Sequence, residues 1–211
     1  MTGGVTVFGA AYSVYVRIVR LALEEKGVPY RLVEVDIFAE DGPPADYLKR
    51  HPFGRIPAFE HDGFGLFEAA AITRYIDDAF DGPSLMPRDV RSRARVNQIT
   101  GLLDSYAYRA MVWDVFVERV SIPREDGVSD EAKIAAGMRT AEICLSTLRD
   151  LMGDGDYLVG SHLTLADLHA VPILAYFRSA PEGEGALAHH PTLARWWAQL
   201  AKRASVQAIL D

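Results

Sequence analysis

The chain changes its hydrophobic pattern once, after residue 80, and this change limits its architecture more than any other feature. Before it, short β-branched runs alternate with amphipathic stretches of helical period, whereas after it apolar residues recur at helical spacing only. Residues 81–90, DGPSLMPRDV, contain a glycine and two prolines and form the natural linker. The sequence therefore predicts a mixed α/β domain over 1–80 and an all-helical domain over 91–211.

The first eighty residues predict the order β-α-β, a loop, then β-β-α. Two strands, Thr6 to Ala10 and Tyr30 to Ile37, lie on either side of an amphipathic helix. Two further runs, Ala58 to Glu60 and Gly65 to Glu68, flank the turn-forming sequence HDG and indicate a hairpin. This order is typical of a small mixed sheet with helices packed on it.

The second half of the chain predicts helices alone. One apolar stripe follows 3-, 4- and 7-residue spacing and is formed by Val96, Ile99, Leu103, Tyr106, Ala110 and Trp113. A later helix has a readable start. Thr164 is placed as its N-cap, and Asp167 lies three residues on, where its carboxylate reaches back to the Thr164 N–H in a capping box.

Composition excludes several classes of function. The chain has 29 acidic and 22 basic residues, a formal net charge of −7, and no run of basic residues, which argues against nucleic-acid binding. The single cysteine, Cys144, excludes a disulfide framework and a thiolate zinc cluster, and the six histidines are too scattered for a metal site. No apolar run is long enough to cross a membrane, and no secretion signal is present at the start. We therefore expect a soluble protein of the cytoplasm.

Ser13 lies between the first predicted strand and the first helix. There it meets the positive end of a helix dipole and unpaired backbone N–H groups, so its hydroxyl could donate a hydrogen bond to an anion and lower the pKa of a bound thiol. On position alone, an ordinary N-cap is the better explanation of Ser13.

Two further positions are typical of ligand binding. Pro57 immediately precedes a strand, and a cis Ile56–Pro57 bond would expose the Ile56 backbone to an extended ligand, although a trans turn is the common case. Glu68 ends the last strand and opens a helix. Its own N–H and that of Ala69 could receive a carboxylate while its side chain meets an ammonium, or Glu68 could merely complement the helix dipole.

Several aromatic residues could line an apolar pocket or belong to the core. They are Tyr12, Tyr106, Trp113, Phe116 and Tyr176.

Four segments follow one another along nearly the whole chain. They are VFGAAYSVYVRIVRLALEEKGVPY, HPFGRIPAFEHDGFGLFEAAAITRYID, YLVGSHLTLADLHAVPILAYF and HPTLARWWAQLAKRASVQ. Together they resemble a cytosolic glutathione S-transferase, most closely the serine-type, phi-like and related bacterial branch. The resemblance implies a thioredoxin-like domain that binds glutathione, a helical domain that holds an electrophile, a homodimer and no metal.

The resemblance also implies roles for individual residues. Ser13 falls on the serine that stabilises the glutathione thiolate. Ile56 and Pro57 fall on the cis-proline motif whose backbone pairs with the cysteinyl part, and Arg55 falls on a position that contacts the peptide. Glu68, with Ala69 beside it, falls on the acid that holds the γ-glutamyl end.

The resemblance assigns two further residues outside the glutathione site. Phe53 falls where phi-like proteins place an aromatic key into the partner subunit. Asp167 falls on the buried acid of the helical domain's capping box, which has a role in folding.

The chain departs from the family pattern in two places. The family has a hydroxyl residue where this chain has Ala69, and the loop FAEDGPPADYLKRHPFG lacks the basic residue that faces the glycine carboxylate. Both changes predict weaker glutathione binding.

Three functions remain distinct on the sequence. The leading one is glutathione transfer to a small hydrophobic electrophile. The alternative is a non-catalytic module of the same fold that binds apolar ligands or a protein partner with weak glutathione affinity. A cysteine-based reductase is disfavoured because Ser13 occupies the nucleophile position and Cys144 lies far along the chain.

Overall fold

The computed structural model describes residues 4–124 and 127–210. The chain forms two compact units. One runs as far as Leu85 and takes in the chain from Ala208 onward, and the other is Met86–Gln207. The predicted domain bounds stay a prediction, but the predicted classes, α/β followed by all-α, are confirmed by the elements found in each part.

A four-stranded mixed sheet organises the first unit. Its strands are β1 Val5–Phe8, β2 Tyr30–Val33, β3 Ala58–His61 and β4 Phe64–Phe67, in the order β2-β1-β3-β4. β1 and β2 are parallel, and the other two pairs are antiparallel. A helix connects the parallel pair, as such a pair requires.

The predicted end of the second strand is wrong, and the predicted hairpin is confirmed. β2 ends at Val33 rather than at Ile37, because Val33 pairs with Phe8, the last residue of the neighbouring strand. The hairpin is confirmed: Asp62 and Gly63 both have positive φ, 53° and 80°, which matches the right-handed twist of the two strands.

Two helices pack together in this unit, α1 Val14–Lys26 and α2 Ala69–Ala79. α1 ends at Gly27, whose φ of 66° closes the last turn. Lys26 Nζ lies 3.2 Å from Asp77 Oδ1 and also donates to the Asp77 carbonyl. This nearly sealed ion pair joins the C-terminal ends of the two helices.

In the described residues of the second unit, the regular elements are all helices. They are α3 Val90–Leu102, a π-helix Leu103–Ser121, α4 Ile122–Arg124, α5 Glu131–Met152, α6 Leu165–Arg178, α7 Pro181–Ala188 and α8 Pro191–Leu200. The last helix, α9 Ala204–Leu210, begins in this unit and ends in the residues that belong to the first. α5 and α6 pack against the π-helix, and α6 is buried along most of its length.

The predicted apolar stripe is wrong at Tyr106, which is 60 % exposed. A π-helix closes its hydrogen bonds over five residues instead of four and so takes more residues per turn. The buried positions of this helix are Leu103, Ala107, Ala110, Met111, Val112, Val115 and Glu118. The predicted stripe therefore holds at Leu103 and Ala110 and fails at Tyr106, which lies off the buried face.

A candidate ligand site at one edge of the sheet

The register of three strands brings the predicted site segments together. Phe8 pairs with Ala58, and Ala58 pairs with Phe67. The residues that follow β1, precede β3 and follow β4 therefore lie at one edge of the sheet. Neighbouring strands there are about 4.8 Å apart. Both helices of the unit also begin at this edge, so the positive ends of their dipoles lie at the same edge.

Ser13 occupies the N-cap position of α1 but does not act as a cap. Its backbone is extended, with φ −63° and ψ 131°, and its side chain makes no capping hydrogen bond. The side chain is only partly buried. Ser13 is thus the N-cap residue by its backbone only, and its hydroxyl is available to donate to another acceptor at the start of the helix.

Gly9 is a positioning residue that the sequence interpretation missed. Its φ is 150°, and a Cβ built on it would lie 2.6 Å from Val16 Cγ2 and 3.0 Å from Ile56 Cβ. The missing side chain thus lets the first turns of α1 approach the loop before β3. A glycine between a strand and the next helix was the available signal.

We expect Gly9→Ala to lower the free energy of unfolding by about 1–3 kcal/mol more than Gly63→Ala, measured by chemical denaturation. Gly63 also has a positive φ, so alanine there costs about 1–2 kcal/mol of backbone strain, but a Cβ would meet nothing within 4 Å. The difference between the two variants isolates the close packing at Gly9. Equal losses would contradict this packing argument.

The Ile56–Pro57 peptide bond is cis, as the sequence left open. Both residues are buried, and among the described residues the Ile56 N–H and C=O have no hydrogen-bond partner. These two groups are free to pair with an extended peptide, as an added strand would.

Arg55 is exposed, and its carbonyl accepts a hydrogen bond from the Tyr47 hydroxyl at 2.5 Å. Burial raises the pKa of Tyr47 to about 12, so the hydroxyl stays protonated and keeps donating. Tyr47, which no sequence motif indicated, therefore fixes the backbone just before Ile56.

Glu68 has a φ of 72° and a ψ of 112°, a backbone conformation that is costly for a residue with a side chain. Its carbonyl accepts the N–H groups of Ala71 and Ile72, both at 3.0 Å. The N–H groups of the preceding residues, Ala69 and Ala70, belong to the open first turn of α2. This strained turn presents N–H donors and an exposed carboxylate at one place, which suits a ligand group that carries both charges.

The predicted pocket aromatics are partly brought together. In the second unit, the rings of Phe116 and Tyr176 lie 4.5 Å apart, and Trp113 is half-buried. Tyr106 is exposed there, and Tyr12 is exposed in the first unit. Partial exposure is typical of pocket walls and not of a core.

Phe53 is 74 % exposed, the extreme among the large apolar side chains of the first unit's described residues. Its ring lies 6.3 Å from the rings of His51 and Phe67. An exposed aromatic residue on a turn that other rings support is suited to insert into a partner.

One other group bears on the chemistry. Cys144 is buried, and burial raises the pKa of its thiol to about 11, so it carries almost no thiolate at neutral pH.

Over residues 4–124 and 127–210, no group of three or more His, Cys, Asp or Glu side chains could hold a metal ion. The same residues include no helix long and apolar enough to cross a membrane.

Comparison with known proteins gives a consistent result. Residues 3–78 match the family model "Glutathione S-transferase, N-terminal domain", and residues 109–204 match "Glutathione S-transferase, C-terminal domain". The chain is 30 % identical to the probable glutathione S-transferase GSTF1 of Oryza sativa subsp. japonica over 97 % of its length and 94 % of the relative's. It is 29 % identical to glutathione S-transferase F6 of Arabidopsis thaliana, over 98 % and 99 % of the two chains.

A solved structure agrees. Glutathione S-transferase I from maize, in complex with an atrazine glutathione conjugate, has a TM-score of 0.85 and 26 % identity, covering 98 % of this chain and 96 % of that one. These matches confirm the predicted combination of a thioredoxin-like domain and an all-helical domain.

Proposed function

Because this chain belongs to the glutathione S-transferase family, we propose that it joins the thiolate of glutathione to small hydrophobic electrophiles and that the Ser13 hydroxyl stabilises the thiolate. One observation carries the proposal. Three groups lie at one edge of the sheet. They are the Ser13 hydroxyl, which makes no capping bond, the unpaired Ile56 N–H and C=O, and the open N-terminus of α2.

The tripeptide is held by its backbone and by its charged end. The Ile56 N–H and C=O pair with the cysteinyl residue, and Arg55 contacts the peptide beside it. The γ-glutamyl carboxylate accepts N–H groups at Glu68 and Ala69, while its ammonium meets the Glu68 carboxylate. Because these contacts use backbone groups, glutathione still binds although Ala69 has no hydroxyl.

With the peptide held, the sulfur lies at the start of α1. The Ser13 O–H donates to the thiolate, and the helix dipole adds to this stabilisation, so the thiol loses its proton to solvent near neutral pH. The thiolate then attacks the electrophilic carbon. A carbon–sulfur bond forms, and in a substitution the leaving group departs with the electron pair of its bond. Holding both reactants in one place supplies much of the rate enhancement.

The remaining parts of the proposal concern partners. The electrophile lies against aromatic residues of the second unit, where the rings of Phe116 and Tyr176 are 4.5 Å apart and Trp113 is half-buried, an arrangement that suits an apolar substrate. The enzyme is a cytoplasmic homodimer that needs no metal, and the exposed Phe53 inserts into the partner subunit. Light scattering on the purified chain measures the dimer, and the mass of a single chain would contradict it.

Turnover of an aryl halide with glutathione tests the proposal directly. Glutathione at ten times its dissociation constant should also stabilise the fold by about 1.4 kcal/mol, a rise in melting temperature of a few degrees. Neither turnover nor stabilisation at millimolar glutathione would favour the alternative, a non-catalytic module of the same fold.

A further inference from the structure

His51 is a buried polar residue that the proposed chemistry does not use. Its side chain is 3 % exposed, and its Nδ1 has no hydrogen-bond partner. The other two buried side-chain atoms without a partner in the described residues lie in the second unit, on Glu182 and His190. Buried polar atoms are nearly always paired, so an exception beside a ligand site calls for a functional explanation.

His51 joins the two segments that would hold glutathione. Its ring lies 4.8 Å from the ring of Phe67, the residue immediately before Glu68. Its carbonyl accepts the Gly54 N–H at 2.9 Å, which fixes the turn leading to Arg55. One residue therefore sets the position of the strained Glu68 turn relative to the Ile56 backbone.

The surroundings favour a neutral imidazole. Burial is the largest influence and lowers the pKa of His51, the positive charge of Arg55 lowers it further, and the negative charge of Glu68 opposes both. The short 3₁₀-helix Tyr47–Lys49 precedes His51, and its Tyr47 carbonyl accepts the His51 backbone N–H at 3.1 Å. Near neutral pH a neutral His51 adds no positive charge near Glu68, so the Glu68 carboxylate is left for a ligand cation.

We infer that His51 is a positioning residue of this site: its ring holds the Glu68 turn against the Ile56 loop, and its protonation draws the Glu68 carboxylate away from the ammonium of the bound γ-glutamyl group. The inference rests on the proposed function and adds to it a pH-dependent affinity for the co-substrate. Acidification adds a positive charge that competes with the ligand's ammonium for one carboxylate.

S-methylglutathione is the probe for this inference, since its blocked sulfur cannot titrate. Its dissociation constant is measured by calorimetry from about pH 5 to about pH 7.5, a window that extends below the ordinary pKa of histidine because burial lowers the pKa of His51. For the unsubstituted chain we expect the dissociation constant to rise about tenfold on acidification. His51→Phe, which keeps a ring but cannot be protonated, should lose the rise.

A second variant separates the ring from its charge. We expect His51→Ala to have, at neutral pH, a dissociation constant about tenfold above that of the unsubstituted chain, with no further rise on acidification, and to raise KM for glutathione with kcat nearly unchanged. The matched control is His162→Phe, because His162 is exposed and lies in the second unit. That control should reproduce the pH profile of the unsubstituted chain.

Three results would overturn the inference: a flat profile for the unsubstituted chain, an unchanged acid-side rise in His51→Phe, or normal binding by His51→Ala. If His51→Ala does not fold, the profile of His51→Phe decides. Failure of the unsubstituted chain to bind S-methylglutathione at any pH would overturn the proposed function itself, which is a different observation from binding without the expected pH dependence.

Discussion

Ser13→Ala is expected to lower kcat/KM for glutathione conjugation by about 10- to 150-fold near neutral pH. A hydrogen bond to a charged group contributes about 1.5–3 kcal/mol, and the lost bond raises the pKa of the bound thiol. The rate of the variant should therefore recover as the pH rises, because more thiolate forms without help. Steady-state kinetics over a pH series, with an aryl halide in excess, measure both effects.

The same substitution should leave the fold almost untouched. The Ser13 side chain makes no capping bond, so the usual loss of about 1 kcal/mol at an N-cap does not apply. We expect melting temperatures of Ser13→Ala and the unsubstituted chain to agree within a degree or two, and Ser13→Thr, which keeps a hydroxyl, to restore part of the rate. Equal rates in the alanine variant and the unsubstituted chain would remove Ser13 from the chemistry.

Asp167→Ala is expected to lower the free energy of unfolding by about 3–5 kcal/mol. The Asp167 carboxylate accepts four hydrogen bonds at 2.8 Å, from the Leu158 N–H, the Thr164 N–H and hydroxyl, and the Trp196 Nε1–H. All of these donors are buried, and alanine would leave them without an acceptor. Urea denaturation measures the loss.

The matched control for Asp167 is Asp89→Ala. Asp89 caps α3 through one bond from the Ser92 N–H at 2.9 Å and is exposed. Its removal should cost only about 1 kcal/mol. Similar losses in the two variants would show that the buried network contributes little beyond an ordinary helix cap.

The sequence predicted those parts of the fold in which local chemistry and tertiary structure agree. The HDG turn specifies its hairpin because Gly63 tolerates positive φ, and the Thr164–Asp167 capping box was readable because its members lie three residues apart. The site could be located for a similar reason. Ser13, Pro57 and Glu68 stand at strand ends, and strand ends meet at sheet edges.

Other features depend on contacts that no local pattern records. Val33 ends β2 because its partner strand ends, and Tyr106 is exposed because it lies off the buried face of the helix that carries it. The positive φ of Glu68 contradicts the ordinary preference of glutamate, so the surrounding structure has to impose it. The contact of the His51 ring with Phe67 likewise joins the loop before β3 to the end of β4, which no local pattern records.

The ion pair between Lys26 and Asp77 has a mechanical consequence. It fastens two helices at the ends remote from their first turns, so neither helix can slide along the other to adapt to an arriving molecule. Structural adjustment of the site to a ligand is then limited to side chains and to a single turn of backbone. The glutathione pocket should therefore be preorganised. Most of its residues are ordered during folding, and few become ordered when the ligand binds.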